Sequence, residues 1–550
     1  MRTLFLIFIN FISVFSKNSN SDIPVFIALH QRNIDVLEST LLDISNPLSA
    51  NYGKWMTYQE ISNTINPPIT DQQNVIGWLE SYNISNINNY GDSIKFTAKR
   101  ETVKELFKIK NNELRLFGYI IPEHLRYIIE FVEMDSIKIN KISKINRKNV
   151  HETTDDRYFG KESLVYLYNV PSDKLNNAVS AASIEYQGLA GFYVSDLTLL
   201  QEANNQSINN KTVIIGDNDY YDTESELDIQ LMSQAGNDAK LWFWDSPNWL
   251  YSFAIDFFNS EDIPDIISMS WGWAEDDQCN IIDCINITSQ QYVKRVNNEY
   301  LKITLRGTTI VVASGDAGAP GRTNEECSSN RPINPVFPGS SPYVLSVGAT
   351  YVPLDNTTLN FTTPICRNNA CITSKNEKSI QYNSVGWTAG GGFDIYHNST
   401  PVWQKEAVDA YLNSGTKLPN EKNFNRNGRA YPDVSAVGHS CPVYIDGTLI
   451  TADGTSCSSP VVAGLLTYIN KLVWDTKKTK LGFVNPLLYH IHSKCDDCFQ
   501  DITEGYNWCT EDGCCENTTD YGFKAIKGYD PVSGLGTLNV GRILDFLKSN

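Results

Sequence analysis

The stretch from Thr212 to Val347 restricts the fold more than any other part of the chain. Short apolar runs at Thr212–Gly216, Lys240–Trp244, Ile266–Ser270, Thr309–Ser314 and Tyr343–Val347 are separated by helical patterns, notably Thr223–Ser233 and Ser289–Leu305. Strands that alternate with helices need crossover connections, and crossovers build a mostly parallel sheet with helices on both faces. The sequence therefore predicts an α/β domain in which Thr212–Gly216 is one of the buried strands. Chemistry in such sheets gathers at the C-terminal ends of strands. Gly216-Asp217-Asn218 and Ser314-Gly-Asp-Ala-Gly318 occupy two such ends.

A chain of 550 residues exceeds what one compact core usually holds. Residues 17–150 read as a separate, small α+β domain, with apolar runs at Ile23–Leu29, Ile94–Phe96 and Tyr127–Phe131 and helical stretches at Ile34–Leu42 and Thr102–Lys108. Lys138–Asp156 is polar and carries Lys141, Lys144, Arg147 and Lys148, as an exposed, cleavable linker would. The domains are accordingly drawn at 17–154 and 155–550. The first holds 16 Lys/Arg and 16 Asp/Glu; the second holds 28 and 47. A domain with that acidic excess repels nucleic acid, which excludes that class of partner. In acid, many of these carboxylates lose their charge, and the fit between the two parts changes with them.

Met1–Ser16 carries one charge, Arg2, ahead of the apolar run Leu4–Phe15, with Val14 and Ser16 small enough for a cleavage site. This is a signal-peptide pattern, with a buried N-terminal strand as the alternative. No later run reaches the roughly 18 apolar residues of a membrane span. Eight N-x-S/T sequons (Asn83, Asn205, Asn210, Asn286, Asn356, Asn360, Asn398 and Asn517) agree with entry into the secretory pathway. All 12 cysteines fall between Cys279 and Cys515, and close pairs such as Cys279/Cys284 and Cys366/Cys371 suit local disulfides. Zinc is the competing reading for Cys495 and Cys498 with His490 and His492.

Gly454-Thr-Ser456-Cys-Ser-Ser-Pro460 precedes an apolar helix, Val461–Leu472. A serine at that junction lies close to helix N-terminal amides that can help bind an oxyanion. A serine nucleophile needs a base. The seven histidines (30, 124, 151, 397, 439, 490 and 492) form no His-Gly-Thr-His type segment. A Ser/His/Asp triad using Asp217 thus lacks its central member, and in acid a histidine would be mostly protonated. Glu224 and Asp228, four apart on a predicted helix, offer a carboxylate base and its orienting partner. Asp222 and Glu226 have the same spacing, so spacing alone does not choose between the pairs.

The motifs resemble those of the sedolisin, or serine-carboxyl peptidase, family: Glu224-Ser-Glu-Leu-Asp228, Ser314-Gly-Asp316-Ala-Gly318 and Gly454-Thr-Ser456. Pro338–Thr350, Gly390–Phe393 and Arg429–Val434 also match, and Asn46–Trp55 resembles the family's prosegment, so the resemblance runs along nearly the whole chain. It implies a subtilisin-like catalytic fold behind a cleaved, inhibitory α+β prosegment. It implies Ser456 as nucleophile, Glu224 as base, Asp228 as orienting carboxylate and Asp316 as oxyanion donor, a role that requires a protonated carboxyl. Ser270 and Gly272 resemble the substrate-binding edge. Asp501, Ile502, Ile526, Gly528 and Asp530 resemble the ligands of one structural calcium ion, although Ile526 stands where the family usually has glycine. Trp273-Ala-Glu275 and Cys457 also depart from the usual residues.

The resemblance further implies acid activation, a lysosomal or secreted location, and release of tripeptides from peptides and proteins with free N-termini. An endopeptidase of the same family and an inactive peptide-binding homologue are the alternatives.

Overall fold

A computed structural model describes residues 22–109, 119–134, 158–172, 174–188, 190–208, 211–219, 221–282, 284, 287–324, 332–353, 363–368, 371, 374–509 and 521–549. The leader Met1–Ser16, the linker Lys138–Asp156 and the sequons Asn210, Asn286, Asn356, Asn360 and Asn517 lie outside the described residues. The chain forms two compact units, Met1–His30 with Pro67–Asp135, and Gln31–Asn66 with Ser136–Asn550.

The first unit is a four-stranded antiparallel sheet in the order Ile87–Asn89, Ser93–Lys99, Asp22–Leu29, Ile129–Glu133, accompanied by the helices Ile69–Glu80 and Arg100–Leu106. Val25, Ile27, Val75, Leu79, Ile94, Phe96 and Phe131 are buried. This unit is α+β, but Gln31–Asn66, with the expected helix at Ile34–Leu42, groups with the second unit.

The second unit is built on a ten-stranded, mostly parallel sheet. Its parallel strands run Val434–Val437, Leu345–Tyr351, Thr309–Ala313, Ile266–Met269, Ser180–Tyr186, Lys240–Ser246 and, at the edge, Val213–Ile215. Register is parallel throughout this path, with Val347 beside Val434, Val311 beside Leu345, Ile267 beside Ile310 and Ala182, and Ser183 beside Phe243. Antiparallel pieces, Lys378–Ser379 and Phe499–Gln500, finish its margins. Two expectations change here. Val213–Ile215 is an edge strand rather than a buried one, with Ile214 and Ile215 exposed by 41% and 36%, because it has one neighbour only and a short span. Ser180–Tyr186, built of small and polar residues with no apolar run, lies near the middle of the sheet.

Two helices carry the site. Thr223–Ala235 is buried along nearly its whole length. Thr455–Lys477 starts earlier than its apolar run suggested, so that Ser456 belongs to its first turn. The helices meet through glycine: a Cβ on Gly464 would lie 2.6 Å from the Gly236 nitrogen and 2.7 Å from the Ala235 Cβ. Val461, Val462, Leu465 and Leu466 are fully buried. At roughly 1.5–3 kcal/mol per large apolar side chain, that face holds the nucleophile helix against the sheet.

Disulfides join Cys279 to Cys284, Cys366 to Cys371, Cys441 to Cys457 and Cys495 to Cys498. The last removes the thiolates that a zinc site would need. No helix among the described residues is long and apolar enough to cross a membrane.

Candidate active site

Ser456 is 9% exposed and follows a loop tied down on several sides. The Gly454 amide donates to the Gly438 carbonyl at 3.0 Å. Asp453 accepts from the Ser440 amide at 2.8 Å and lies 2.8 Å from His439 Nδ1. Cys457, next to the nucleophile, is bonded to Cys441 in the neighbouring strand.

Glu224 and Asp228 project from the Thr223–Ala235 helix. The Ser456 hydroxyl acts on the Glu224 carboxyl, lowering the pKa that burial raises, and Ser270 Oγ donates to Asp228 Oδ1 at 2.9 Å. Glu224 Oε1 and Asp228 Oδ2 are buried without a hydrogen-bond partner. The competing pair is used otherwise. Asp222 precedes the helix as its N-cap residue, and Glu226 accepts from the Tyr193 amide at 2.6 Å and from Gln230 Nε2 at 2.8 Å. Asp217 is exposed beyond the edge strand, away from any triad.

A third carboxyl escaped the sequence reading. Glu185, fully buried near the end of the Ser180–Tyr186 strand, accepts from Ser183 Oγ at 2.6 Å and from Trp271 Nε1 at 2.7 Å. The three carboxyls share one environment. Burial pushes Glu185 up to about 7. Burial pushes Glu224 well above the usual carboxylate range; the Ser456 hydrogen bond opposes this, and the charges of Glu185, Asp222 and Asp316 add to it. Asp228 is raised by burial first and then by Glu185 and Glu224. The main causes of these shifts are burial, other carboxyls, and hydroxyl and indole donors, with no cation among them. Such a group holds protons in common. The one legible signal for Glu185 was an acidic residue inside a strand of small residues.

Asp316 follows the Thr309–Ala313 strand. Its Oδ1 accepts from the Thr455 amide at 2.8 Å and from Thr455 Oγ1 at 2.7 Å, which leaves Oδ2 as its open oxygen beside Gly454. Ser270 and Gly272 lie at the end of the Ile266–Met269 strand. The Ser270 hydroxyl serves Asp228, and a Cβ on Gly272 would meet Val336 Cγ1 at 2.7 Å, so this edge approaches Val336–Phe337, which pairs with Trp273–Ala274. Glu275 is buried and accepts from Ser340 Oγ and the Ile395 amide, both at 2.9 Å.

The expected calcium ligands lie on segments joined by hydrogen bonds. Asp501 Oδ2 accepts from the Gly528 amide at 2.9 Å, Asp530 Oδ2 from the Ile526 amide at 2.9 Å, and the Ile502 carbonyl from Ser533 Oγ at 3.3 Å. Asp530 is fully buried and burial raises it to about 7; amide and hydroxyl donors ease this, and no cation does. A buried carboxylate beside a second carboxylate and backbone carbonyls fits a hard, oxygen-seeking cation.

A serine in the first turn of a core helix, fed by a carboxyl on a neighbouring helix at the C-terminal edge of a parallel sheet, defines a serine peptidase of subtilisin-like architecture. The comparisons agree and narrow the class. Residues 13–133 match the family described as Pro-kumamolisin, activation domain, and residues 222–480 match the Subtilase family. The chain is 36% identical to physarolisin of Physarum polycephalum, over 96% of this chain and 94% of that one. It is 26% identical to tripeptidyl-peptidase 1 of Mus musculus, over 98% and 93%. Pseudomonas sedolisin, a serine-carboxyl proteinase solved with pseudo-iodotyrostatin, shares the fold with a TM-score of 0.52 at 22% identity, over 72% of this chain and 99% of that one. The chain belongs to the sedolisin family of serine-carboxyl peptidases.

Proposed function

We propose that this peptidase works in acid, with Ser456 as nucleophile, Glu224 as base, Asp228 as orienting carboxyl and Asp316 as oxyanion donor. The observation that carries the reading is the grouping of the Ser456 hydroxyl with Glu224, Asp228 and Glu185, carboxyls raised by burial and by one another. Glu224 takes the Ser456 proton as Oγ adds to the substrate carbonyl, and returns it to the leaving amine as the peptide bond breaks. Water then releases the acyl group from Ser456 by the reverse sequence. Asp228 and Glu185 act through Glu224, keeping its charge shared and its orientation fixed. Asp316, anchored through Oδ1, turns Oδ2 toward the developing oxyanion and donates while protonated.

The substrate reading is release of tripeptides from free N-termini, supported by end-to-end similarity to tripeptidyl-peptidase 1. Internal cleavage is the second reading, because identity is higher to physarolisin, whose name carries no tripeptidyl activity. Incubating the acid-treated protein with matched peptides, N-terminally free and acetylated, and weighing the products separates the two. Tripeptides from the free peptide alone support the first; equal cleavage of both peptides rejects it.

The chain is read as a secretory-pathway protein, lysosomal or secreted, whose prosegment is removed near residues 150–160. Asp501 and Asp530, with the carbonyls of Ile502, Ile526 and Gly528, would hold one calcium ion, which would supply structural charge compensation.

A further inference from the structure

Trp55 lies within the activation-domain match, yet it packs with the catalytic unit, in a slot made by two glycines. A Cβ on Gly482 would lie 2.1 Å from the six-membered ring of the indole, and one on Gly307 would lie 2.8 Å from its five-membered ring. Both glycines have left-handed backbones, with φ of +63° and +84°. The Trp55 Nε1–H donates to the Lys480 carbonyl at 2.9 Å. Flanking contacts follow the chain: the Met56 amide donates to the Leu305 carbonyl at 2.8 Å, Thr479 Oγ1 donates to the Gly53 carbonyl at 2.6 Å, and Lys477 Nζ stands 5.3 Å over the Tyr52 ring.

The slot is made where the helices Ser289–Leu305 and Thr455–Lys477 end, so its acceptors are carbonyls at or just past helix C-termini. Ser456 begins the second of these helices. At about 1.5 Å per residue the slot is thus roughly 30 Å or more from the nucleophile. None of its residues takes part in the chemistry, and its shape matches an indole with an extended backbone on either side.

We propose that the Gly307–Gly482 slot is an exosite of the processed enzyme that binds a tryptophan-bearing peptide, its own segment Tyr52–Tyr58 being the ligand it is shaped for. The inference rests on the reading that the activation segment is severed. An indole is chosen because it fills the space that the missing side chains leave and satisfies the Lys480 carbonyl. A phenylalanine would fill less and donate nothing.

The test uses an N-acetylated, amidated, fluorescein-tagged peptide spanning residues 52–58. Its binding is followed by anisotropy on three proteins: processed wild-type, full-length wild-type and full-length Trp55→Ala. The processed enzyme and the Trp55→Ala chain, whose slots are open, should bind it, and the full-length wild-type, whose slot is filled in cis, should not. A peptide with alanine for the tryptophan should bind at least about tenfold more weakly, with a phenylalanine peptide between the two. Gly482→Ala should abolish binding while a small chromogenic substrate is turned over at the wild-type rate. Equal binding of the tryptophan and alanine peptides, or displacement of the peptide by that small substrate, overturns the proposal. A protein that cleaves no peptide at all would sink the proposed function and leave this binding result readable.

Discussion

Two buried acidic clusters in the catalytic unit have opposite surroundings. Glu299 lies between Arg295, whose Nε donates to it at 2.8 Å, and Lys302, with side chains essentially out of solvent. Glu185 and Asp228 are equally enclosed and Glu224 is partly so, yet hydroxyls, an indole and one another are their company. The first arrangement fixes a charge and makes structure. The second leaves charge uncompensated, so protons stay near and can move. Burial alone does not distinguish these two clusters; the presence or absence of a compensating cation does.

Exchanging the acid for its amide in each cluster is the sharpest way to break this comparison. Glu224→Gln should lower kcat/KM by about 10²–10⁴ while the protein unfolds at the wild-type temperature. Glu299→Gln should leave the chemistry intact and cost about 3–5 kcal/mol of stability, because it strands two buried cations. Calorimetry beside kinetics decides, and an exchange of the two outcomes refutes the contrast.

Asp316 extends the comparison to a carboxyl whose proposed work is donation. Asp316→Ala should cost about 10²–10³ in kcat/KM. Asp316→Asn should retain more activity than alanine, and its activity should fall less steeply on the alkaline side, since an amide donates at every pH. Alanine at wild-type rates would remove the oxyanion assignment.

Glu185→Gln tests whether the third carboxyl acts on the other two. Its negative charge raises Glu224 and Asp228, so neutralising it should move the acid limb of kcat/KM to lower pH, by about half a unit or more. An unmoved limb with reduced activity would mean that Glu185 serves packing alone.

Glu226 stands between the two clusters in kind, held by an amide and a glutamine, and burial raises it from 4.5 to about 8. A carboxyl raised in the folded state adds stability below its unfolded value and loses it as pH climbs through the folded one. The melting temperature should therefore fall between pH 4.5 and 8, and Glu226→Gln should flatten that fall. The smallest effect expected is that of calcium removal. Chelation should lower the melting temperature by a few degrees before it alters kcat, on the scale of about 2–4 °C per kcal/mol. A melting curve indifferent to chelator removes the calcium reading.

Much of this was legible in the sequence because periodicity and motif spacing are local. The helix Ser289–Leu305 was readable to the residue, since its apolar repeat sits between clear ends. The carboxyl pair Glu224 and Asp228 was legible as one face of a helix, but preferring it to Asp222 and Glu226 needed the family motif. The structure shows why: the two pairs share spacing and differ in what the rest of the fold brings opposite them. Glu185 was not legible, because its strand lacks an apolar run and its partners Trp271 and Asp228 are distant in the chain. The exposed edge position of Val213–Ile215 was hidden for the same reason, since strand order in a sheet is set by long-range pairing.

The glycine crossing of the two functional helices has a consequence for how this enzyme can change. Gly464 and Gly236 bring the helix of the nucleophile and the helix of the base nearly backbone to backbone, away from either reacting group. The crossing behaves as the pivot of a pair of tongs, with Ser456 on one jaw and Glu224 on the other. A single methyl group wedged into the pivot opens the jaws without touching them. If Ser456 and Glu224 act as proposed, the gap between them is gauged at this pivot and not at the site itself.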